Sequence, residues 1–400
     1  MTAPAQAADA TSSLTTDILI AGGGIAGLWL NARLRAAGFS TVVVEKNTLG
    51  GVQTLGSQGI IHGGIKYALS GSLTGASEAI ADMPSRWVAS LEGRGELDLQ
   101  GVRRLSEAHY LWSPGSLISG LAGFFASKSV RGRAEACSKA DLPEAFKNSS
   151  FKGKAYRLSE VVVDVPQLVA RLVELGGDSF VRAEQLLPLR EGGVLCGLRA
   201  DGIEIKAQRV VLSAGLGNAD LLSQLGLSTP QQQVRPLHQV LVKAPKLPLL
   251  YAHALGMGPK PRTTITSHIA ADGDIVWNLG GDLAEADGVA RDEASQIAFA
   301  KHELADLLPW VDLSSARFAT WRVQRAEPAQ NGLLRPDNAF LHSDAALMVA
   351  WPTKLALSPN LADQVLAALS AQNITPQANG ARPDLPRPAL GQAPWERLFA

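Results

Sequence analysis

Apolar residues in this chain follow two rhythms, one of buried runs that lead into helical spacing and one of longer extended segments. The first opens at Asp17-Ile18-Leu19-Ile20-Ala21, passes through Gly22-Gly23-Gly24-Ile25-Ala26-Gly27 into a helical pattern, and resumes at Thr41-Val42-Val43-Val44-Glu45. Strand, glycine turn, helix and strand in that order predict a parallel sheet. The same rhythm returns at Arg209-Val210-Val211-Leu212, followed by the small-residue turn Ser213-Ala214-Gly215-Leu216-Gly217 and a helix over 218–225. It returns again at Ala346-Leu347-Met348-Val349-Ala350, with a turn through Trp351-Pro352-Thr353-Lys354 and a helix over 359–369.

Extended segments dominate between residues 231 and 327: 236–242, 263–270 and 275–279, the last two joined by a turn at Asp272-Gly273. This predicts an antiparallel hairpin in a different sheet. A helix over 292–308 is expected to bury Ile297, Ala298, Leu304 and Leu308 and to turn Lys301, His302 and Glu303 to solvent. Earlier, helical patterns over 76–91 and 116–128 flank a strand-like run at His109-Tyr110-Leu111-Trp112, and Val161-Val162-Val163 leads through Asp164 and Pro166 into a helix ending near Leu175. The nucleotide-type domain is therefore expected to be split into 1–80, 155–228 and 330–375. A substrate or cap domain takes 81–154 and 229–329. Proline spacing makes 376–400 an extended tail, with Trp395, Leu398 and Phe399 docking it on the body.

The chain has 400 residues, 46% hydrophobic and 18% charged, enough for two domains and ordinary for a soluble protein. Lys+Arg and Asp+Glu are both 37, so no net field recruits nucleic acid or an anionic membrane, and a small-molecule substrate is the expected partner. Cys137 and Cys196 are the two cysteines, without CxxC or metal-ligand spacing, so no disulfide, iron–sulfur cluster or zinc site is expected. The first 15 residues read as a loose tail rather than a signal peptide, and 18–30 is too short and glycine-broken to span a bilayer. A cytoplasmic protein without an integral membrane segment is expected.

In the glycine turn, Gly22 permits a tight turn, Gly24 removes a side chain where a pyrophosphate approaches the backbone, and Gly27 lets the helix lie close on the strand. Glu45 ends the second strand, where its carboxylate can accept from a ribose diol. The segment from Leu49 to Gly75 is too long for an ordinary connection and carries His62, Lys66 and Tyr67.

Three pieces match one superfamily: Gly22 to Gly27 with Glu45, the strand and turn Val210-Val211-Leu212-Ser213-Ala214-Gly215, and the strand, turn and helix around Lys354 to Pro359. On these residues the chain resembles the D-amino-acid oxidase-type FAD-dependent oxidoreductases over nearly its whole length. The resemblance implies an α/β fold: a Rossmann-like FAD-binding domain of the glutathione-reductase type, with an inserted α+β substrate domain built on an antiparallel sheet. It also implies FAD held by Gly22, Gly23, Gly24, Ile25, Ala26, Gly27, Glu45, Lys46, Ser57, Gly59, Ala214, Gly215, Lys354 and Leu355. Ile61-His62-Gly63-Gly64-Ile65-Lys66-Tyr67 looks like the flavin-side loop of glycerol-3-phosphate dehydrogenases and, less closely, of L-2-hydroxyglutarate dehydrogenases. Residues 321–325 resemble the substrate-binding strand of glycine oxidase, whose arginine matches Arg325. The usual proline after it is Ala326 here, and the glycine-rich approach of amine oxidases is replaced by Trp351-Pro352-Thr353-Lys354.

Such a site needs a base, an anchor for substrate, and positive charge near the flavin's N1 and O2. His62 reads either as the base or as a structural histidine of the loop. Lys354 reads as the cation or as a solvated loop residue. Arg322 and Arg325 are three apart on a strand and point to opposite faces, and Arg325 is preferred as a bidentate clamp for a carboxylate or phosphate. Either could instead pair with Glu327. Tyr67, His238 and Trp277 are further substrate-side candidates, each with a structural alternative; His253 and His268 read more readily as structural. The expected activity is oxidation of a small anionic 2-hydroxy acid, polyol phosphate, amino acid or amine by hydride transfer to flavin N5, with oxygen or a quinone as acceptor. Competing readings are an NAD(P)-dependent oxidoreductase and a flavin-binding protein without turnover.

Overall fold

The computed structural model describes residues 13–64, 80–114, 134–256, 260–329, 338–377 and 383–400. Lys66, Tyr67 and the helix expected over 116–128 lie outside these residues.

The first sheet runs, in spatial order, Phe340–Ser343, Leu347–Trp351, Ile203–Leu212, Ser13–Ala21, Thr41–Glu45 and Phe180–Arg182. Along this path all neighbours are parallel except the edge strand Phe340–Ser343, and off it Val194–Ala200 pairs antiparallel with Ile203–Leu212 and with Leu186–Glu191. Alternation along the central strand sends Ile18 and Ile20 to one face with Val43, Val211 and Met348. Leu19 and Ala21 face the other way with Val44, Val210 and Val349. Both faces are buried, which is why these strands are continuously apolar rather than alternating with polar residues. Helix Ile25–Ala36 covers one face together with Val165–Gly176 and Ser358–Ala371. Helix Val165–Gly176 starts where Asp164 caps the Gln167 N–H and Pro166 occupies the first turn.

The second sheet runs Arg317–Pro328, Gln232–Ala244, Ile275–Gly280, Pro261–Ile269, Ala252–Leu255, His109–Ser113, Lys154–Leu158 and Ala134–Ala136. It is antiparallel except where Ala252–Leu255 meets His109–Ser113. Its hairpin turns at Asp272-Gly273, with the Gly273 N–H donating to the Ala270 carbonyl. Lys154–Leu158 pairs here with His109–Ser113, although the sequence places residue 155 at the start of a nucleotide-domain segment.

Two local expectations are corrected. Helix Glu293–Leu307 buries Gln296, Ala300, Glu303, Leu304 and Leu307 and exposes Ala298. Glu303 turns inward because Arg262 meets it with two hydrogen bonds of 2.6 and 2.7 Å. His302 is exposed as expected. The tail ends in a short helix, Pro394–Leu398, that buries Trp395 and leaves Leu398 largely exposed. Trp395 stacks on the buried His268 ring at 4.2 Å.

Candidate active site

A cavity of about 850 Å3 runs from the glycine turn, past the loop that follows Glu45, to the face of the second sheet. Gly22, with φ +109°, and Gly27 shape its floor. A Cβ at Gly27 would stand 1.9 Å from the Gly22 carbonyl oxygen, and one at Gly22 would stand 2.5 Å from the Ala214 backbone. Gly24 differs: a Cβ there meets only the Thr54 hydroxyl at 3.5 Å, so the space above it opens into the cavity. Helix Ile25–Ala36 begins beside it; its first N–H, of Ile25, donates to the Thr54 hydroxyl at 3.0 Å, and the next N–H groups of the first turn have no carbonyl within the helix to donate to, which suits an anion.

The Glu45 carboxylate accepts the Gly23 N–H at 2.7 Å and the Asn47 N–H at 2.8 Å. Each oxygen keeps a second lone pair for a ribose hydroxyl. Lys46, Ser57, Gly59, Ala214, Gly215, Lys354 and Leu355 line the same cavity, as do Ile25 and Ala26. Gly23 and Gly27 are not among its lining residues. An open cradle over Gly24, a helix N-terminus beside it and a strand-end carboxylate fit a dinucleotide pyrophosphate and ribose.

The cavity is also lined by His62, from the loop after Glu45, and by Arg325, from the second sheet. Arg325 donates from Nε to the Arg235 carbonyl at 3.3 Å and lies 3.7 Å from Glu285, which Lys260 meets at 2.7 Å. Arg322 points to the opposite face and donates to the carbonyls of Val289 and Arg291 at 3.0 and 2.7 Å.

Two candidates fall elsewhere. His238 lies directly across from Arg322 in the ladder and is buried, with Nδ1 2.9 Å from the Gly288 carbonyl. Its strand neighbours Leu237 and Gln239 line the cavity instead. Trp277 is wholly buried in the core of the second sheet and donates to the Pro248 carbonyl at 2.9 Å, so it forms no wall of the site.

Several contributors are not evident from local pattern. Gln58 ties the loop to the second sheet by donating to the carbonyls of Thr264 and Asn278 at 3.2 and 2.9 Å. His253 lines the cavity, with its ring stacked 6.1 Å from that of His62, and its Nδ1 is 2.8 Å from the Thr264 hydroxyl. Glu160 is buried beneath the loop and accepts the Gly63 N–H at 2.9 Å. Its one signal in the sequence is an acidic residue abutting the apolar run of Val161 to Val163. Burial pushes its pKa up. The attraction of the His62 ring, the charge of His109 and the Gly63 N–H outweigh that and hold it below the ordinary glutamate value.

His62, Glu160 and His253 bring donor atoms within 4.8 Å of one another. One Glu160 oxygen is already taken by the Gly63 N–H.

The profile of the family described as FAD dependent oxidoreductase, DAO, matches residues 17–349. The chain belongs to this family. A relative described as the probable FAD-dependent oxidoreductase PA4991 of Pseudomonas aeruginosa is 64% identical over 388 residues, covering 97% of this chain and 99% of that protein. The crystal structure of PA4991 superposes with a TM-score of 0.88 at 59% identity, covering 97% of this chain and 99% of the other. Glycine oxidase from Geobacillus kaustophilus has a TM-score of 0.66 at 18% identity, covering 92% and 97%. L-alpha-glycerophosphate oxidase from Mycoplasma pneumoniae, solved with FAD bound, has 0.62 at 13%, covering 94% and 99%. The last two share the fold. The protein is thus a DAO-family FAD-dependent oxidoreductase, which sets aside the NAD(P) reading. Among the described residues, no helix is long and apolar enough to cross a membrane.

Proposed function

We propose that this DAO-family enzyme oxidises a small anionic alcohol or amine: a 2-hydroxy acid, a polyol phosphate or an amino acid. The observation that carries this reading is that Arg325, from the second sheet, and His62, from the loop after Glu45, line the same cavity. Bound FAD supplies a two-electron acceptor for the substrate's hydride. The protein supplies the rest. Arg325 offers a planar fork to the anionic end of the substrate, in exchange for its weaker contact with Glu285. His62 takes the O–H or N–H proton, since hydride leaves a carbon readily only when that proton also leaves. Lys354 and the helical turn that follows it place positive potential at the cavity wall, suited to negative charge on a reduced cofactor.

The split of the chain into an FAD-binding part and a cap part follows the two sheets, with Lys154–Leu158 assigned to the cap. Two free cysteines suit a reducing cytoplasm. Anaerobic mixing of the oxidised enzyme with 2-hydroxy acids, glycerol phosphates and amino acids tests the proposal by loss of flavin absorbance. Reduction by none of these anions, but by a cationic amine, would overturn it. Mixing the reduced enzyme with oxygen or with a quinone identifies the acceptor.

A further inference from the structure

Glu160 is brought beneath the active site by backbone pairing. The Ile61 N–H donates to the Val161 carbonyl and the Val163 N–H to the Gly59 carbonyl, both at 2.9 Å, with Ile60 bridged to Val162. This ladder sets Glu160 beside Gly63, whose N–H holds one carboxylate oxygen. The other oxygen then lies 3.5 Å from His62 Nδ1. The Glu160 side chain is 2% exposed, so a carboxylate kept there needs a charge or donor opposite it.

We propose that Glu160 is the positioning residue for His62: it selects the tautomer with hydrogen on Nδ1 and so leaves Nε2 as the proton-accepting atom. The inference rests on His62 being the base. A carboxylate oxygen facing Nδ1 attracts an N–H there and repels a lone pair, which decides the tautomer. At 3.5 Å the contact is longer than a formed hydrogen bond, as catalytic contacts often are before substrate binds, and a few tenths of an ångström close it. When Nε2 accepts the substrate's proton, the ring becomes an imidazolium whose Nδ1–H stays on Glu160, and the electron pair departs with the hydride. Among the described residues, the other titratable groups around His62 are His253, stacked against it, and His109, 4.2 Å from the His253 ring. Both become less hospitable to positive charge on His62 if they are protonated, so Glu160 supplies the favourable charge of the cluster.

Glu160→Gln tests this in the FAD-loaded enzyme. Glutamine has one acceptor oxygen, so with Gly63 satisfied its amide NH2 points at Nδ1 and selects the reversed tautomer. Flavin reduction should slow by about 10²-fold or more. The rising limb of the rate against pH should move down by about one unit or more, because the charge that favours imidazolium is gone. Glu160→Asp should recover part of the rate, and Glu160→Gln combined with His62→Ala should be no slower than His62→Ala alone. In the wild-type holoenzyme, 15N NMR of the histidines should show neutral His62 protonated on Nδ1, identified by its loss in His62→Ala. A wild-type Nε2–H tautomer overturns the inference, as does an unmoved pH limb in Glu160→Gln. If Glu160→Gln does not retain FAD, the wild-type tautomer decides alone. A His62→Ala enzyme that reduces its flavin at the wild-type rate would instead remove the base reading beneath it.

Discussion

Arg325 reaches toward Glu285 across the cavity, guanidinium to carboxylate, at 3.7 Å. The same carboxylate is held more closely by Lys260. Arg325 therefore meets an anion already, at a longer distance than Lys260 meets it. A substrate carboxylate or phosphate can take the fork of Arg325 and leave Glu285 to Lys260, so charge in the site stays balanced through binding.

Arg325→Lys keeps the charge and loses the planar fork. KM for the anionic substrate should rise roughly tenfold, equivalent to about 1.4 kcal/mol of binding. Arg322→Lys should leave KM near wild type, because Arg322 serves backbone carbonyls on the other face. Steady-state kinetics of both variants checks the assignment, and a larger effect at Arg322 would reverse it.

Gly24 and Gly27 should fail in different ways. Gly24→Val places its side chain in open space beside Thr54, so the protein should fold and lose FAD. Gly27→Ala drives a methyl into the Gly22 carbonyl and should lose stability, by roughly 1–3 kcal/mol for overpacking. Thermal melts with flavin content measured on the same samples separate the two. A Gly24→Val protein that purified yellow with full flavin would remove the pyrophosphate from this turn.

His62→Ala should keep FAD and slow flavin reduction by about 10²–10⁴-fold. Neutral imidazole is the form that accepts a proton, so the wild-type rate should rise with pH and this limb should vanish in the variant. Stopped-flow absorbance across pH reads both effects; an unchanged rate would assign His62 to loop structure.

His268 is wholly buried against Trp395, and burial lowers its pKa to about 3. The unfolded chain, with an ordinary value near 6.5, binds a proton there before the folded protein does. Stability contributed by this residue is therefore intact above about pH 6.5 and falls as pH drops toward 3. The loss is at most on the order of 4–5 kcal/mol, taking about 1.36 kcal/mol per unit. His268→Phe should flatten that stretch of the acid-unfolding curve. An unchanged slope from pH 6.5 to 4 would exclude this histidine as the cause.

The glycine turn, Glu45 and the parallel strands were legible because a dinucleotide constrains neighbouring residues: each role falls within one βα unit. That His62 and Arg325 line the cavity was legible too, one through a loop sequence and the other through strand alternation. His238 and Trp277 were misplaced because alternation fixes which residues share a face but not which face meets the cofactor. Glu160 escaped notice because its role arises from a ladder between residues 59–63 and 160–163, a pairing that no periodicity in either segment announces. Glu303 looked like a solvent residue until Arg262, far away in sequence, supplied its partner.

The central strand Ser13–Ala21 is bordered by Ile203–Leu212, and that in turn by Leu347–Trp351. The cavity wall is completed only by Lys354 and Leu355. A chain emerging from the ribosome thus presents its glycine turn early, yet the cavity gains its last lining residues only when almost all of it has been made. A translation product stopped before residue 347 would lack the strand Leu347–Trp351 and that part of the cavity wall.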